Sequence, residues 1–184
     1  MDSGHHVHAM APPLRIGVSA CLVGQLVRYD GGHSHAPSLV QWLEAHAELW
    51  PICPEVEIGM GTPREPVELQ RSPNGVASGE HRVRIVGAET GTSWTSRMHE
   101  WAMRQARKWA EAGVGGAVLK SGSASCGVTG VVIHSGSLRL SGRGLFAEAL
   151  ATVMPGLPMV EEGDLHEAVA REAFLAAVRA RHPK

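Results

Sequence analysis

What this chain lacks narrows its class first. It has three cysteines in 184 residues, an odd count at wide spacing, whereas a secreted disulfide scaffold places more cysteines in a shorter chain. One Tyr and two Phe accompany five Trp, so no array of rings is present for stacking single-stranded bases. The formal net charge is −1, so the composition advertises no polyanion-binding surface, and nucleic acid is not an expected partner. No N-terminal stretch joins a basic segment to a continuous apolar one as a signal peptide does, and no run is long enough to cross a membrane. These absences leave the expectation of a cytoplasmic protein with reduced thiols and no membrane partner.

What is present is ordinary for a globular chain: 43% hydrophobic and 19% charged residues, at a length suited to one domain with a sizeable core. Residues 1–13 hold His5, His6 and His8, have no apolar periodicity and end in Pro-Pro; they are expected to form a disordered tail, with 14–184 a single α/β domain. Apolar runs at 14–20, 49–53, 83–86, 116–119 and 157–160 predict strands. Helices are expected over 38–46, 95–112, 145–153 and 164–181, the last with Asp164 as its N-cap. In the second of these Met98, Trp101, Ala102, Gln105 and Trp109 recur at spacings of three and four, giving one buried stripe, and Gly113 stops the helix. Residues 56–78 show no periodicity and predict a functional loop, while the Gly/Ser-rich span after the third cysteine predicts a short hairpin. Alternating strands and helices argue for an α/β fold around a mostly parallel central sheet.

Each cysteine follows a predicted strand: Cys21 in RIGVSACLVG, Cys53 in LWPICPE, and Cys126 in SGSASCG. In such sheets ligands bind beyond the carboxyl ends of the strands, so the three thiols suggest one assembled site. Several chemistries stay open on spacing alone. Cysteine is often a small buried hydrophobe. A structural zinc ion takes four ligands in close pairs, and only His33, His35 or His134 offer a fourth. A catalytic thiol leaves two cysteines idle. A 4Fe–4S cluster on three cysteines uses them all and leaves one iron open, a Lewis acid for soft donors such as sulfur. Around the cysteines, Glu55 is a candidate acid or base, or else a solvated carboxylate. Lys120 is a candidate to offset an anionic cluster, and Ser121, Ser123 and Ser125 to hydrogen-bond sulfide or substrate, the alternative being a strand-end lysine and turn residues. Arg28 and Asp30 are candidate substrate contacts or simply an ion pair across their turn.

The ordered motifs SACLVG, RYDGG, CPE, GTPREPVEL and LKSGSASCG resemble those of a bacterial family of small iron–sulfur-dependent thiouracil desulfidases, over about residues 14–160. The resemblance implies a Rossmann-like fold with helices on both faces of the sheet. It further implies a 4Fe–4S cluster held by Cys21, Cys53 and Cys126, with Glu55 and Ser123 as the acid/base and substrate-polarising pair. The implied reaction is removal of sulfur from a thiolated pyrimidine, a base or nucleoside of the 2-thiouracil or 4-thiouridine type, without net redox change. Cluster assembly machinery would then be a partner. Related proteins with an added C-terminal domain act on thiolated RNA, and the end of this chain favours a free base or nucleoside. The chain departs from the family's common pattern at Ala124, where Pro is usual, and at Val27, where a further cysteine is often found. The residue-level rivals are a carrier or sensor that binds metal or cluster without catalysis, and a metal-free thiol enzyme.

Overall fold

A computed structural model describes residues 13–72 and 82–181. The tail histidines His5, His6 and His8 lie outside the described residues, as does the end of the expected 56–78 loop. The elements in order are β1 (Arg15–Ser19), α1 (Pro37–Glu44), β2 (Glu48–Ile52), α2 (Pro54–Glu57), β3 (Val67–Arg71), β4 (Val83–Gly87) and α3 (Thr95–Glu111). They continue with β5 (Val114–Leu119), β6 (Val131–Ser135), β7 (Leu138–Gly142), α4 (Leu145–Val153), β8 (Met159–Glu161), a 3-10 turn (Glu162–Leu165) and α5 (Ala168–Arg181). Among the described residues no helix is long and apolar enough to cross a membrane.

Four strands form an all-parallel sheet in the order β2-β1-β5-β8, which puts the carboxyl ends of all four along one edge. The order follows from apolarity. All six residues of β5 are buried, as a central strand requires, whereas β2 carries Pro51 and lies at the side of the sheet, where a missing N–H costs no ladder bond. Side chains alternate between the two faces. Ile16, Val18 and Val118 pack with Leu39 and Leu43 of α1 and Phe174, Leu175 and Val178 of α5. Ala117 and Leu119 pack on the other face with Trp109 of α3 and Phe146 and Leu150 of α4. On that second face the Trp109 indole lies so close to Gly17 that any Cβ there would overlap it. Glycine in β1 is therefore a packing requirement.

The same α3/α4 core also receives a second sheet, ordered β4-β3-β6-β7, through Leu69, Ile85, Val131 and Ile133. In it β3 runs antiparallel to β4 and parallel to β6, and β6–β7 is the expected hairpin. Three expectations change here. The 56–78 span is not all loop: β3 lies inside it, concealed in the sequence because VELQR buries only Leu69 fully. In α3 the buried stripe takes Ala106 in place of Gln105, with Thr95 added at the start. The last helix begins at Ala168, because Asp164 belongs to the preceding 3-10 turn, where it forms a capping box with Glu161.

Candidate functional site

The carboxyl edge of the parallel sheet opens into a cavity of about 340 Å³ lined by Cys21, Cys53 and Cys126. Cys21 lies two residues beyond β1, Cys53 directly after β2 at the head of α2, and Cys126 at the far end of the loop that follows β5. Burial is the first influence on every thiol. It pushes Cys21 up to about 11 from an ordinary 9.0, with the neighbouring Cys53 adding to the rise. Cys53 is raised too, against hydrogen bonds from the α2 backbone. Cys126 is raised furthest by burial, with Cys53 and Cys21 adding, while a hydrogen bond from Ser19 acts the other way. The thiols thus sense one another in one cavity. Yet among the described residues no three Cys, His, Asp or Glu side chains are grouped as a single bound ion requires. A donor set of three soft thiols spread around one cavity suits a polynuclear sulfur-bridged group better than one ion. The zinc alternative loses its fourth ligand as well: His33 and His35 pack against each other, and His134 lies beside Glu68 in the second sheet, none of them lining the cavity.

Glu55, in the first turn of α2, faces the cavity with both carboxylate oxygens engaged. Oε2 accepts from Arg64 Nε at 2.9 Å and Nη2 at 2.6 Å, and Oε1 accepts from the Ser125 hydroxyl at 2.9 Å. Ser125 is fully buried and does not line the cavity, so it contacts Glu55 where a substrate contact was expected.

Ser123 lines the cavity, and its Oγ accepts the N–H groups of Ser125 at 3.2 Å and Cys126 at 3.0 Å. Both lone pairs are thereby occupied, and the hydroxyl proton has no partner among the described residues. Ser123 is therefore a donor toward the cavity. The same hydroxyl folds the turn that delivers Cys126, and Gly127 closes it with an N–H to the Ser123 carbonyl at 2.8 Å. The loop in turn caps α4: Leu145 N–H donates to Ala124 O at 3.1 Å and Phe146 N–H to Ser125 O at 2.9 Å. Gly144 permits that close approach, since a Cβ there would stand 2.6 Å from the Ser125 backbone.

The remaining predicted residues divide. Arg28 lines the cavity, donates to Ser34 Oγ at 3.0 Å, and stacks over the ring of Tyr29. Asp30 lies outside the cavity lining, 3.6 Å from Arg28 and accepting the Gly32 N–H at 3.0 Å, so the ion pair across the turn is what forms. Lys120 and Ser121 line the cavity but are both tied to Glu162: the ammonium ion-pairs with its Oε1, and Ser121 N–H donates to Oε2 at 2.8 Å. Burial pushes the Glu162 carboxyl up, yet the Lys120 and Ser121 hydrogen bonds outweigh it and hold the group below its ordinary range.

Four contributors were not singled out as site residues in the sequence. Arg64, Ser19 and Tyr29 lie inside the motifs GTPREPVEL, SACLVG and RYDGG, which were the available signal, whereas Glu162 lies in none. Ser19 ends β1, accepts the Lys120 N–H at 2.9 Å, and so directs its proton to Cys126. Glu162, the first residue of the 3-10 turn after β8, anchors the start of the Cys126 loop, and Tyr29 lines the cavity while 41% exposed.

Comparison with known proteins places the chain in a family. The chain is 30% identical over 156 residues to the uncharacterized protein YbbK of Bacillus subtilis, covering 82% of this chain and 97% of that one. Its fold matches a solved structure of a protein described as the 4Fe–4S-dependent thiouracil desulfidase TudS, with a TM-score of 0.66 and 30% identity, over 87% of this chain and 98% of the other. The family model described as 2-thiouracil desulfurase matches residues 16–162, a span that contains all three cysteines, Glu55, Arg64, Ser123 and Glu162. With that match covering most of its length, the chain belongs to the 2-thiouracil desulfurase family.

Proposed function

We propose that this protein is a 4Fe–4S-dependent desulfidase that converts a thiolated pyrimidine and water into the oxo base and hydrosulfide, with no net electron transfer. The observation that carries the reading is the convergence of three thiols, a fixed carboxylate and a hydroxyl donor on one cavity. Cys21, Cys53 and Cys126 would hold the cluster, the first and last from buried positions and Cys53 from a partly exposed one. When bound, the cluster supplies one iron without a protein ligand, a soft Lewis acid suited to the sulfur of a thiocarbonyl.

The chain's own groups do the rest. Val27, Ile52, Pro54 and Val67 give the cavity apolar walls on which a flat ring can rest. Ser123, with its lone pairs committed to the loop backbone, donates its proton to a ring acceptor or to the oxygen that develops negative charge. Glu55 Oε1 takes a proton from the water that adds to the ring carbon and returns it to the departing sulfur. Atoms balance as thiocarbonyl plus water giving carbonyl plus hydrogen sulfide. A non-catalytic carrier needs neither a carboxylate held by two side chains at the cavity wall nor a hydroxyl aimed into the cavity.

The test is anaerobic reconstitution with iron and sulfide, followed by 2-thiouracil. The wild type should show iron–sulfur absorbance and release sulfide. Glu55→Gln should keep the iron content, and in both Glu55→Gln and Ser123→Ala turnover per bound cluster should fall on the order of a hundredfold or more. Variants that retain full turnover would remove those residues from the mechanism, and a cluster that forms without sulfide release would favour the carrier.

A further inference from the structure

We infer that Arg64 is a positioning residue that fills one oxygen of Glu55 and thereby makes the other oxygen the only one able to handle a proton. The inference rests on the role of Glu55 proposed above.

An arginine usually meets a carboxylate as a fork, one nitrogen to each oxygen. Here both nitrogens, Nε at 2.9 Å and Nη2 at 2.6 Å, reach the same oxygen, Oε2. Each carboxylate oxygen offers about two acceptor positions, so Oε2 is full. Oε1 holds only the Ser125 hydroxyl and keeps one position open. The selection is enforced from the arginine side. Arg64 Nη1 donates to Gly61 O at 2.8 Å, Nη2 also reaches Val27 O at 2.9 Å, and its backbone N–H donates to Tyr29 O at 2.8 Å.

The guanidinium is thus fixed by two carbonyls, and the Arg64 backbone by a third, apart from its contact with Glu55. With side-chain exposures of 5% for Arg64 and 14% for Glu55, the pair is shielded from the solvent screening that weakens surface ion pairs. Rotating the carboxylate to offer Oε2 would break two charge-assisted bonds at once. A lysine ammonium, a single point on a flexible stem, cannot reproduce two bonds to one oxygen together with two to carbonyls.

The experiment uses the reconstituted full chain with 2-thiouracil, comparing wild type, Arg64→Ala, Arg64→Lys and Glu55→Gln, each with and without millimolar guanidinium chloride and with sodium chloride as the ionic-strength control. Arg64→Ala should keep its iron content and KM, lose kcat on the order of a hundredfold, and recover several-fold with guanidinium but not with sodium. Arg64→Lys fills the space and should keep the cluster and the melting temperature, yet lose kcat by about tenfold or more without any guanidinium response. Wild-type kcat in either variant overturns the inference, as does an Arg64→Ala loss that guanidinium leaves unchanged. Should the alanine variant fail to fold, the lysine variant decides alone. Glu55→Gln separates the two levels. If it is fully active, the role of Glu55 is wrong; if it is inactive while Arg64→Ala is active, Glu55 acts without help from Arg64.

Discussion

At the scale of single residues, the cysteines differ from reactive thiols in a way that can be measured on the cluster-free protein. Alkylating reagents attack the thiolate, and burial raises Cys21 to about 11, so little thiolate exists near neutrality. Because the raised value means protonation persists to higher pH, the iodoacetamide rate at Cys21 should still be climbing above about pH 9, where an ordinary cysteine with a value near 9.0 is levelling off. Mass-spectrometric rates that plateau at the ordinary position would show that Cys21 is not buried in the apo state. The residues themselves were unevenly legible. The cysteines announce themselves because each stands just after an apolar run, and Glu55 because it follows Cys53 by two residues. Ser19 and Glu162 do not, because each acts through a contact with a residue far along the chain: Glu162 meets Ser121 41 positions away, and Ser19 meets Lys120 101 positions away. No local pattern encodes such pairings. Ser125 was misplaced for a related reason, since alternate serines in a turn give no hint of which hydroxyl faces inward.

At the scale of elements, β8 serves the site although it contributes no cysteine. Its last residue, Glu161, and the next, Glu162 of the 3-10 turn, lie at the carboxyl edge of the parallel sheet and clamp the Cys126 loop from both ends. Glu162 binds Lys120 and Ser121 where the loop starts, and Glu161 accepts the N–H groups of Val128 at 2.8 Å and Thr129 at 3.3 Å where it finishes. Glu162→Gln removes the charge from three hydrogen bonds and should cost about 2 kcal/mol of stability, read from urea unfolding of the apo protein. It should also speed iron loss from the holo protein under a chelator. Unchanged iron retention would mean that the loop holds its shape without the clamp. The strand itself was legible from its apolar run, but its function was not, because that function lies in the two acids beyond the run. The helix α4 is a parallel case: a helix was expected over 145–153, while its capping by the Ala124 and Ser125 carbonyls depends on a loop that only the fold brings to its start.

For the molecule as a whole, the order of apolar runs was sufficient to predict a parallel α/β sheet, since strands buried on both faces read as continuous apolar segments. Of the second sheet, β4 and the β6–β7 hairpin were legible but β3 was not, because only Leu69 of it is fully buried, and the assembly of these strands into one sheet depends on α3 and α4 offering a shared core. That core tolerates little change at its centre. Gly17→Ala should destabilise the protein by about 2 kcal/mol through the clash with Trp109, while leaving the spectrum of any assembled cluster unaltered. An alanine variant as stable as wild type in urea would place the indole further from β1 than described.

The central claim is that this fold brings a cluster, a carboxylate and a hydroxyl together for hydrolysis of a carbon–sulfur bond without electron transfer. It is tested most directly by incubating the anaerobically reconstituted protein with 2-thiouracil in the absence of any electron donor and quantifying both products. The account predicts uracil and sulfide in equal amounts over many turnovers. A requirement for added reductant, or sulfide released without uracil, would contradict it.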